Sequence, residues 1–166
     1  MKKALQIIAL LFIPFLGFSQ DAAVVKTQAD KVAQALISGN YDIVINSMYP
    51  KVVQMAGGKA KLLQMMATGT NQMKAQGIAF KSATVGTPGK FYKAGTEIHC
   101  LVPESITMQM GTNKLTTNSN LLAVSKDGGK SWSFLDLNKN TISAIPKIFP
   151  NFNKELKIPE PTQPFM

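Results

Sequence analysis

Arginine is absent from this chain of 166 residues, and all 18 of its basic residues are lysines. Arginine is the side chain that binds phosphate, carboxylate and base edges through a planar fork. The lysines are scattered and form no basic run after the first few residues. The formal net charge of +9 therefore indicates a solvated basic surface, and nucleic acid is not an expected partner.

Cysteine and histidine are nearly absent, with one of each, Cys100 and His99. A single cysteine cannot form an internal disulfide, so the fold must be stabilised by its core. We expect Cys100 to be a small buried hydrophobe, because no neighbouring residue would lower the pKa of its thiol. Paired His or Cys ligands, Gly-rich phosphate loops and nucleophile elbows are also missing. No metal ion or cofactor is predicted.

Residues 1–20 have the pattern of a secretory leader. Two lysines precede the apolar run 4–18, and the small residues Gly17 and Ser19 stand where a signal peptidase cleaves. The run is short for a bilayer-spanning helix, and polar sequence follows it. We expect an exported domain, periplasmic or secreted. Because the cleavage site has no cysteine to carry a lipid, we expect no membrane anchor after cleavage.

The rest of the chain changes from helical to strand periodicity near residue 77. Apolar spacing and the stop signals Gly39, Pro50 and Gly77 predict three helices: 21–38, a short helix capped by Asn40, and 59–76. Alternation then predicts strands 78–85, 96–110, 115–125 and 131–137, and Asn140 would cap a last helix through Ile145, before Pro146. We expect one domain over residues 21–156 and an extended, proline-rich tail over 157–166.

Helices followed by consecutive strands predict an α+β fold, with three N-terminal helices packed on an antiparallel sheet. Strand 96–110 is so long that a flat version would invite aggregation, so the sheet is expected to be strongly curved. Pro103, in the middle of this strand, predicts an edge or a bulge. A curved sheet wrapped on helices forms a cone with an internal pocket.

The order of these elements, the segment GNYD at 39–42 and the strand segment GKSWSFLD at 129–136 resemble the nuclear-transport-factor-2-like superfamily. The resemblance covers roughly residues 25–137 and implies the cone-shaped, cystatin-like α+β fold. That superfamily includes isomerases, dehydratases, cyclases, ligand binders and non-catalytic domains, and its sheets often pair into homodimers. The resemblance therefore leaves the function open. The leader ending GFSQ and the lack of arginine resemble exported proteins of Bacteroidetes.

Two acidic residues are the candidates for acid–base chemistry. Glu104 falls on the otherwise apolar face of the long strand, and Asp136 shares parity with the aromatic residues of the last strand. A buried carboxyl group has a raised pKa that suits a general base, and two in one cavity would have divergent pKa values. The alternatives are that a bulge at Pro103 turns Glu104 to solvent and that Asp136 caps a strand end. The sequence favours these alternatives.

Two further features have structural explanations. His99 alternates onto the polar face beside Glu97, which predicts a surface pair, because a catalytic histidine needs converging partners. Residues 125–132, SKDGGKSW, match the Asp-box of sialidase-type propellers. The motif occurs once, in a chain too short for a propeller, and so predicts a local hairpin. The methionines fall at core spacing, which favours packing over copper binding.

Three functions remain open. The first is a non-enzymatic exported domain that binds a small apolar or amphipathic ligand, or a protein partner, in the cone pocket. Its expected lining is Ile98, Val102, Met108, Met110, Trp132, Phe134 and Tyr41. The second is an isomerase-, dehydratase- or cyclase-like enzyme with Glu104 or Asp136 as base and Tyr41 or Tyr49 as donor. The third is a structural module that forms oligomers, in which the same apolar residues are a filled core.

Overall fold

The computed structural model describes residues 22–162, and their elements run from helices through a sheet to a final helix. The predicted leader at 1–20 and the end of the predicted tail lie outside these residues. The helices are α1 (Ala22–Ser38), α2 (Tyr41–Asn46), α3 (Pro50–Met55), α4 (Lys59–Ala75) and α5 (Lys139–Ile148). The strands are β1 (Ile78–Val85), β2 (Tyr92–Ala94), β3 (Glu97–Met110), β4 (Asn113–Ser125) and β5 (Ser133–Asp136). The α+β class with a curled antiparallel sheet is confirmed.

Four helices, not the predicted three, precede the sheet. Asn40 caps α2 as expected, its side chain accepting from the Ile43 N–H. Pro50 was expected to end that helix, but it occupies the first position of the additional helix α3. A proline costs nothing there, because the first N–H groups of a helix have no intrahelical partner. Helix α2 already ends at Asn46, so Pro50 marks the start of the next element, which was the alternative interpretation of this proline.

The sheet is built around the long β3–β4 hairpin. Its strand order is β1-β3-β4-β5, and β3 and β4 pair without interruption from Ile98↔Ser125 to Met110↔Asn113. The other edge of β3 is shared by two strands, with β2 pairing residues 97–99 and β1 pairing residues 104–110. The short strand β2 was not predicted, because three residues are too few to show alternation.

Of the two alternatives predicted at Pro103, the bulge is absent, and the residue lies at a locally unpaired edge of β3. The pairing of β3 with β4 runs unbroken through this residue. On the other edge β1 ends at Val85, and the N–H of Gly86 donates to the Pro103 carbonyl at 2.8 Å. Pro103 therefore lies between the ends of β1 and β2, where no ladder partner requires its missing N–H. The register shift of the β1–β3 pair lies instead between Phe80 and Ser82.

Both faces of the sheet are covered by buried side chains. The first core lies between α1 and the sheet and consists of Val25, Ala29, Ala33, Ala83, Val85, Cys100, Val102, Leu121, Ala123, Trp132 and Phe134. The second core joins the opposite face to α5 and the segment after it, and consists of Tyr49, Leu122, Val124, Leu135, Leu137, Ile145, Ile148, Phe149 and Leu156. Adjacent residues of β4 belong to different cores, as strand geometry requires.

Helix α5 is longer than predicted. It begins at Lys139, before the expected cap Asn140, and continues past the expected end at Ile145 to Ile148, with Pro146 inside. Its cap is Asn138, whose side chain accepts from the N–H groups of Asn140 and Thr141. A proline at this position costs a helical hydrogen bond. Burial of Ile145 and Ile148 in the second core offsets that cost.

The segment after α5 returns to the sheet. Residues 157–162 form no helix, and the N–H of Thr162 donates to the Asn118 carbonyl at 3.0 Å. The N–H of Asn118 in turn donates to the Thr162 hydroxyl at 3.2 Å. The described part of the proline-rich tail is therefore held against β4.

Candidate functional site

A cavity of about 260 Å³ lies between three helices and the sheet face that carries the first core. We call it the helix–sheet cavity. Its lining residues come from α1, α2 and the turn after it, α4 and strands β3 to β5: Val32, Ala33, Leu36, Val44, Ser47, Met48, Met66, Glu104, Ile106, Leu121, Phe134 and Asp136. The lining is apolar except for Ser47, Glu104 and Asp136. Its two ionisable groups are thus both acidic.

Strand alternation explains how both carboxylates reach the same cavity. Glu104 and Ile106 are two residues apart on β3, and Phe134 and Asp136 are two apart on β5. Each pair therefore shares one face of the sheet. Leu121 of β4 lies between them, paired with Asp136. Because β3 continues without a bulge, Glu104 keeps the parity of the apolar face.

A serine hydroxyl lies between the two carboxylates. The Ser119 Oγ is 3.5 Å from Oε2 of Glu104 and 3.3 Å from Oδ1 of Asp136. One hydroxyl proton can be donated to only one acceptor at a time. Asp136 also accepts from Nδ2 of Asn138 at 3.1 Å. Asp136 lies at the end of β5 and is exposed to solvent, although it also lines the cavity.

Glu104 is buried, with 8% of its surface exposed. The expectation that Pro103 would turn it to solvent is therefore wrong, because the proline produces no bulge. Burial, and to a lesser extent the charge of Asp136, raise the pKa of Glu104 to about 7, against the opposing effect of the Ser119 hydrogen bond. This carboxyl group can exchange a proton near neutral pH.

Of the predicted lining residues Ile98, Val102, Trp132 and Phe134, only Phe134 lines the helix–sheet cavity. Val102 and Trp132 are buried in the first core, and Ile98 packs against it. The helices supply much of the lining in their place. The apolar stripes of α1, α2 and α4 are visible in the sequence, but periodicity does not say where a helix face stops short of the sheet.

The remaining predicted lining residues lie elsewhere. Met108 and Met110 are near the far end of β3, where Met110 is 41% exposed. Tyr41 lines a different cavity, of about 130 Å³, between α1, α4 and β1. Its hydroxyl donates to the Thr70 hydroxyl at 2.7 Å. The structure therefore does not bring Tyr41 together with Glu104.

A second polar cluster lies on the opposite face of the sheet and contains the expected pair of His99 and Glu97, joined by Tyr49 and Lys126, which the sequence did not place there. The Tyr49 hydroxyl donates to Oε1 of Glu97 at 2.8 Å, and Nε2 of His99 is 3.1 Å from Oε2. The Lys126 Nζ lies 3.5 Å from the same carboxylate and 4.7 Å from the Tyr49 ring centroid. Burial acts to raise the pKa of Glu97, but the bonds from His99 and Tyr49 and the charge of Lys126 lower it overall.

The position of His99 on the polar face predicted that it lies at the surface. It is instead buried, with 1% of its surface exposed. The rings of Phe149 and Phe152 lie 5.2 and 5.7 Å from its ring. Burial lowers the pKa of His99, although Glu97 opposes this, and Nδ1 has no hydrogen-bond partner among residues 22–162. The expectation failed because residues after α5 cover the face that alternation assigned to solvent.

Cys100 is fully buried beside the first core, as predicted. Burial raises the pKa of its thiol to about 12, so the thiolate is not accessible at neutral pH. Cys100 therefore packs and does not react.

The Asp-box segment forms a tight local turn. Oδ1 of Asp127 accepts from the N–H groups of Lys130 and Ser131, each at 3.0 Å. Hydrogen bonds from Ser131 hold the pKa of Asp127 well below its usual range. The Trp132 Nε1 donates to the Gly129 carbonyl at 3.0 Å, and the Trp132 N–H donates to the side chain of Gln28. The last contact, which the sequence did not predict, joins the turn to α1.

Comparisons with known proteins assign no family: no protein-family model matches the chain, and no curated protein matches its sequence. Within the described part of the chain, no helix has the length and apolar character to cross a bilayer. The same residues contain no group of three or more His, Cys, Asp or Glu side chains that could hold a metal ion. The site must therefore be interpreted from its own geometry.

Proposed function

We propose that this chain is an exported, non-enzymatic domain that binds a small amphipathic ligand in the helix–sheet cavity. The observation that carries the proposal is a preformed apolar cavity whose few polar groups are Ser47, Glu104 and Asp136. Ligand sites in proteins combine an apolar lining with a small number of polar groups that orient the ligand. An apolar body would lie against the helices, and a polar end would lie at the carboxylates.

The size of the cavity suits a small ligand. An apolar cavity of roughly 150 Å³ in another protein binds benzene. The helix–sheet cavity, at about 260 Å³, has room for one ring with a short chain. Larger lipids do not fit within this volume.

We further propose that the chain belongs to the nuclear-transport-factor-2-like superfamily, among exported proteins of the Bacteroidetes type. The curled antiparallel sheet, the helices packed on it and a cavity between the two support this membership. Members of that superfamily have different activities, so membership does not determine the ligand.

An acid–base enzyme is the second candidate, favoured by one observation. Glu104 lines a cavity, and burial there raises its pKa to about 7, as a general base requires. The proposed donors do not join it, because Tyr41 is bonded to Thr70 and Tyr49 to Glu97 on the other sheet face. Ligand binding therefore takes precedence over catalysis.

The test is to fill the cavity and measure binding. Ile106 lines the cavity, whereas Thr107 points to the other face of the same strand. We expect the wild-type domain to bind phenylbutanol, a neutral amphiphile, in titration calorimetry. Ile106→Trp should abolish the binding, and the matched control Thr107→Trp should retain it.

Circular dichroism would establish that both variants are folded. Absence of binding by the wild-type domain of every amphiphile with this apolar body, or equal binding by a folded Ile106→Trp variant, would contradict the proposal. Either result would favour the structural module. Chemical conversion of a co-purified ligand by the domain would favour the enzyme.

A further inference from the structure

We infer that the helix–sheet cavity selects cationic amphiphiles, in which a protonated amine held by Glu104 and Asp136 is attached to a small apolar body. This inference rests on the proposed function, because it names the class of ligand for the same cavity. It requires three features: unbalanced negative charge, an apolar remainder and carboxylates close enough to share one ammonium group.

The negative charge of Glu104 has no counterpart within residues 22–162. The hydrogen bond that its side chain accepts there is the long contact of Oε2 with the neutral Ser119 hydroxyl. Neither Glu104 nor Asp136 is among the ion pairs of the described chain. A carboxylate that is nine-tenths buried without a positively charged partner is costly in free energy, and a ligand that supplies donors and positive charge reduces this cost.

The other acidic residue of β3, Glu97, shows a carboxylate whose charge is balanced by neighbouring donors and a lysine. Glu97 receives hydrogen bonds from Tyr49 and His99 and has Lys126 at 3.5 Å. Its pKa is lowered, whereas that of Glu104 is raised. The difference lies in the neighbours and not in the strand. Among residues 22–162, Glu104 forms no ion pair of the kind that Glu97 forms with Lys126.

The lining of the cavity determines which ligand charge is favourable. Apart from its two acidic residues and Ser47, every lining side chain is apolar. An anionic ligand would be repelled, and a neutral ligand would leave the carboxylates without a counter-charge. A cation attached to an apolar body satisfies both parts of the lining.

The spacing of the acceptors suits an ammonium group. The hydroxyl of Ser119 is 3.5 Å from one carboxylate and 3.3 Å from the other, so both carboxylates flank the same hydroxyl group. An ammonium group has three N–H donors and accepts no hydrogen bond. It can donate to Glu104 and Asp136 together, which the single hydroxyl proton of Ser119 cannot do. Charge-assisted bonds of this kind are stronger than neutral ones.

The experiment compares phenylbutylamine, phenylbutanol and phenylbutanoate by titration calorimetry at about pH 8. These probes share one apolar body and differ in the charge of one end. We expect phenylbutylamine to bind at least about tenfold more tightly than phenylbutanol, as one charge-assisted hydrogen bond predicts. Phenylbutanoate should bind most weakly of the three.

Two charge-removing variants and one matched control test the assignment to residues. Glu104→Gln should remove most of the preference for the amine over the alcohol, and Asp136→Asn should reduce it. The control Asp30→Asn removes the same charge from an exposed ion pair on α1 and should leave the preference unchanged. Equal loss in all three variants would mean that net charge, and not the site, attracts the amine, and would overturn the inference.

The outcomes separate this inference from the proposed function. If the three probes bind with similar affinity and Ile106→Trp blocks them, the cavity binds ligands but does not select cations, and only the inference fails. If no probe binds to the wild-type domain, or if Ile106→Trp has no effect, both fail. Tighter binding of the alcohol or the acid than of the amine would also overturn the inference.

Discussion

At the scale of single residues, burial raises the pKa of both glutamates of strand β3, but only Glu97 has neighbours that reverse the effect. Glu97 is surrounded by donors, and its pKa is lowered. Glu104 is buried more deeply with one weak donor, and its pKa rises to about 7. The free energy of the carboxylate thus depends on its neighbours, which alternation along a strand does not identify. Alternation along the strand placed Glu104 on an otherwise apolar face. It did not predict which groups surround the carboxylate.

Replacing Glu104 by Gln should stabilise the domain more at high pH than at low pH. The pKa of Glu104 is about 7 when folded, against an ordinary 4.5, so the folded state binds more protons between these values. The contribution of Glu104 to stability is therefore fully present below about pH 4.5 and is lost as pH rises through about 7. The loss is about 3 kcal/mol.

Urea unfolding at about pH 5 and about pH 8 measures this difference, with Glu155→Gln as an exposed control. We expect the free energy of unfolding of Glu104→Gln, relative to wild type, to be larger at the higher pH. The control should give the same value at both. A pH-independent difference for Glu104→Gln would contradict the raised pKa.

At the scale of elements, proline positions were the least reliable signals in the sequence. Pro146 was expected to end a helix, Pro50 to end a helix or start the next turn, and Pro103 to mark an edge or a bulge. Pro50 instead starts α3, Pro146 lies inside α5, and Pro103 occupies a gap between two edge strands. The effect of a proline depends on whether its missing N–H had a partner, and this is decided by neighbouring elements.

The segment after α5 matters because it covers the second sheet face. Phe149 is buried there, with its ring 4.5 Å from that of Tyr49 and 5.2 Å from that of His99. We expect Phe149→Ala to reduce the free energy of unfolding by about 3–5 kcal/mol, the usual cost of deleting a buried aromatic ring.

The control for this change is Lys154→Ala, an exposed position in the same segment. It should alter the free energy of unfolding by less than about 0.5 kcal/mol. Chemical denaturation of both variants supplies the measurement. Similar, small losses in the two would show that the segment does not contribute to the second core.

At the scale of the whole molecule, one sheet supports two cores. Strand β4 contributes Leu121 and Ala123 to the first core and Leu122 and Val124 to the second. Disruption of this strand would therefore expose apolar surface on both faces. The two cores depend on the same backbone hydrogen bonds, so neither is expected to persist alone.

We accordingly predict a single cooperative unfolding transition. Trp132 in the first core gives a fluorescence signal, and His99, the one histidine of the chain, gives unambiguous ring-proton NMR signals from the opposite face. Both signals should change at the same urea concentration. Separated midpoints would indicate that the two cores unfold independently.

The sequence by itself determined the order and type of most elements, the curled antiparallel sheet and the burial of Cys100, because local periodicity reports backbone conformation directly. Only the tertiary structure decided which faces are covered. Helix α5 and residues 149–158 bury His99, and the helices leave a cavity beside Glu104. These outcomes depend on contacts between residues far apart in the chain. A pattern within one strand records which residues share a face, but not what lies opposite that face.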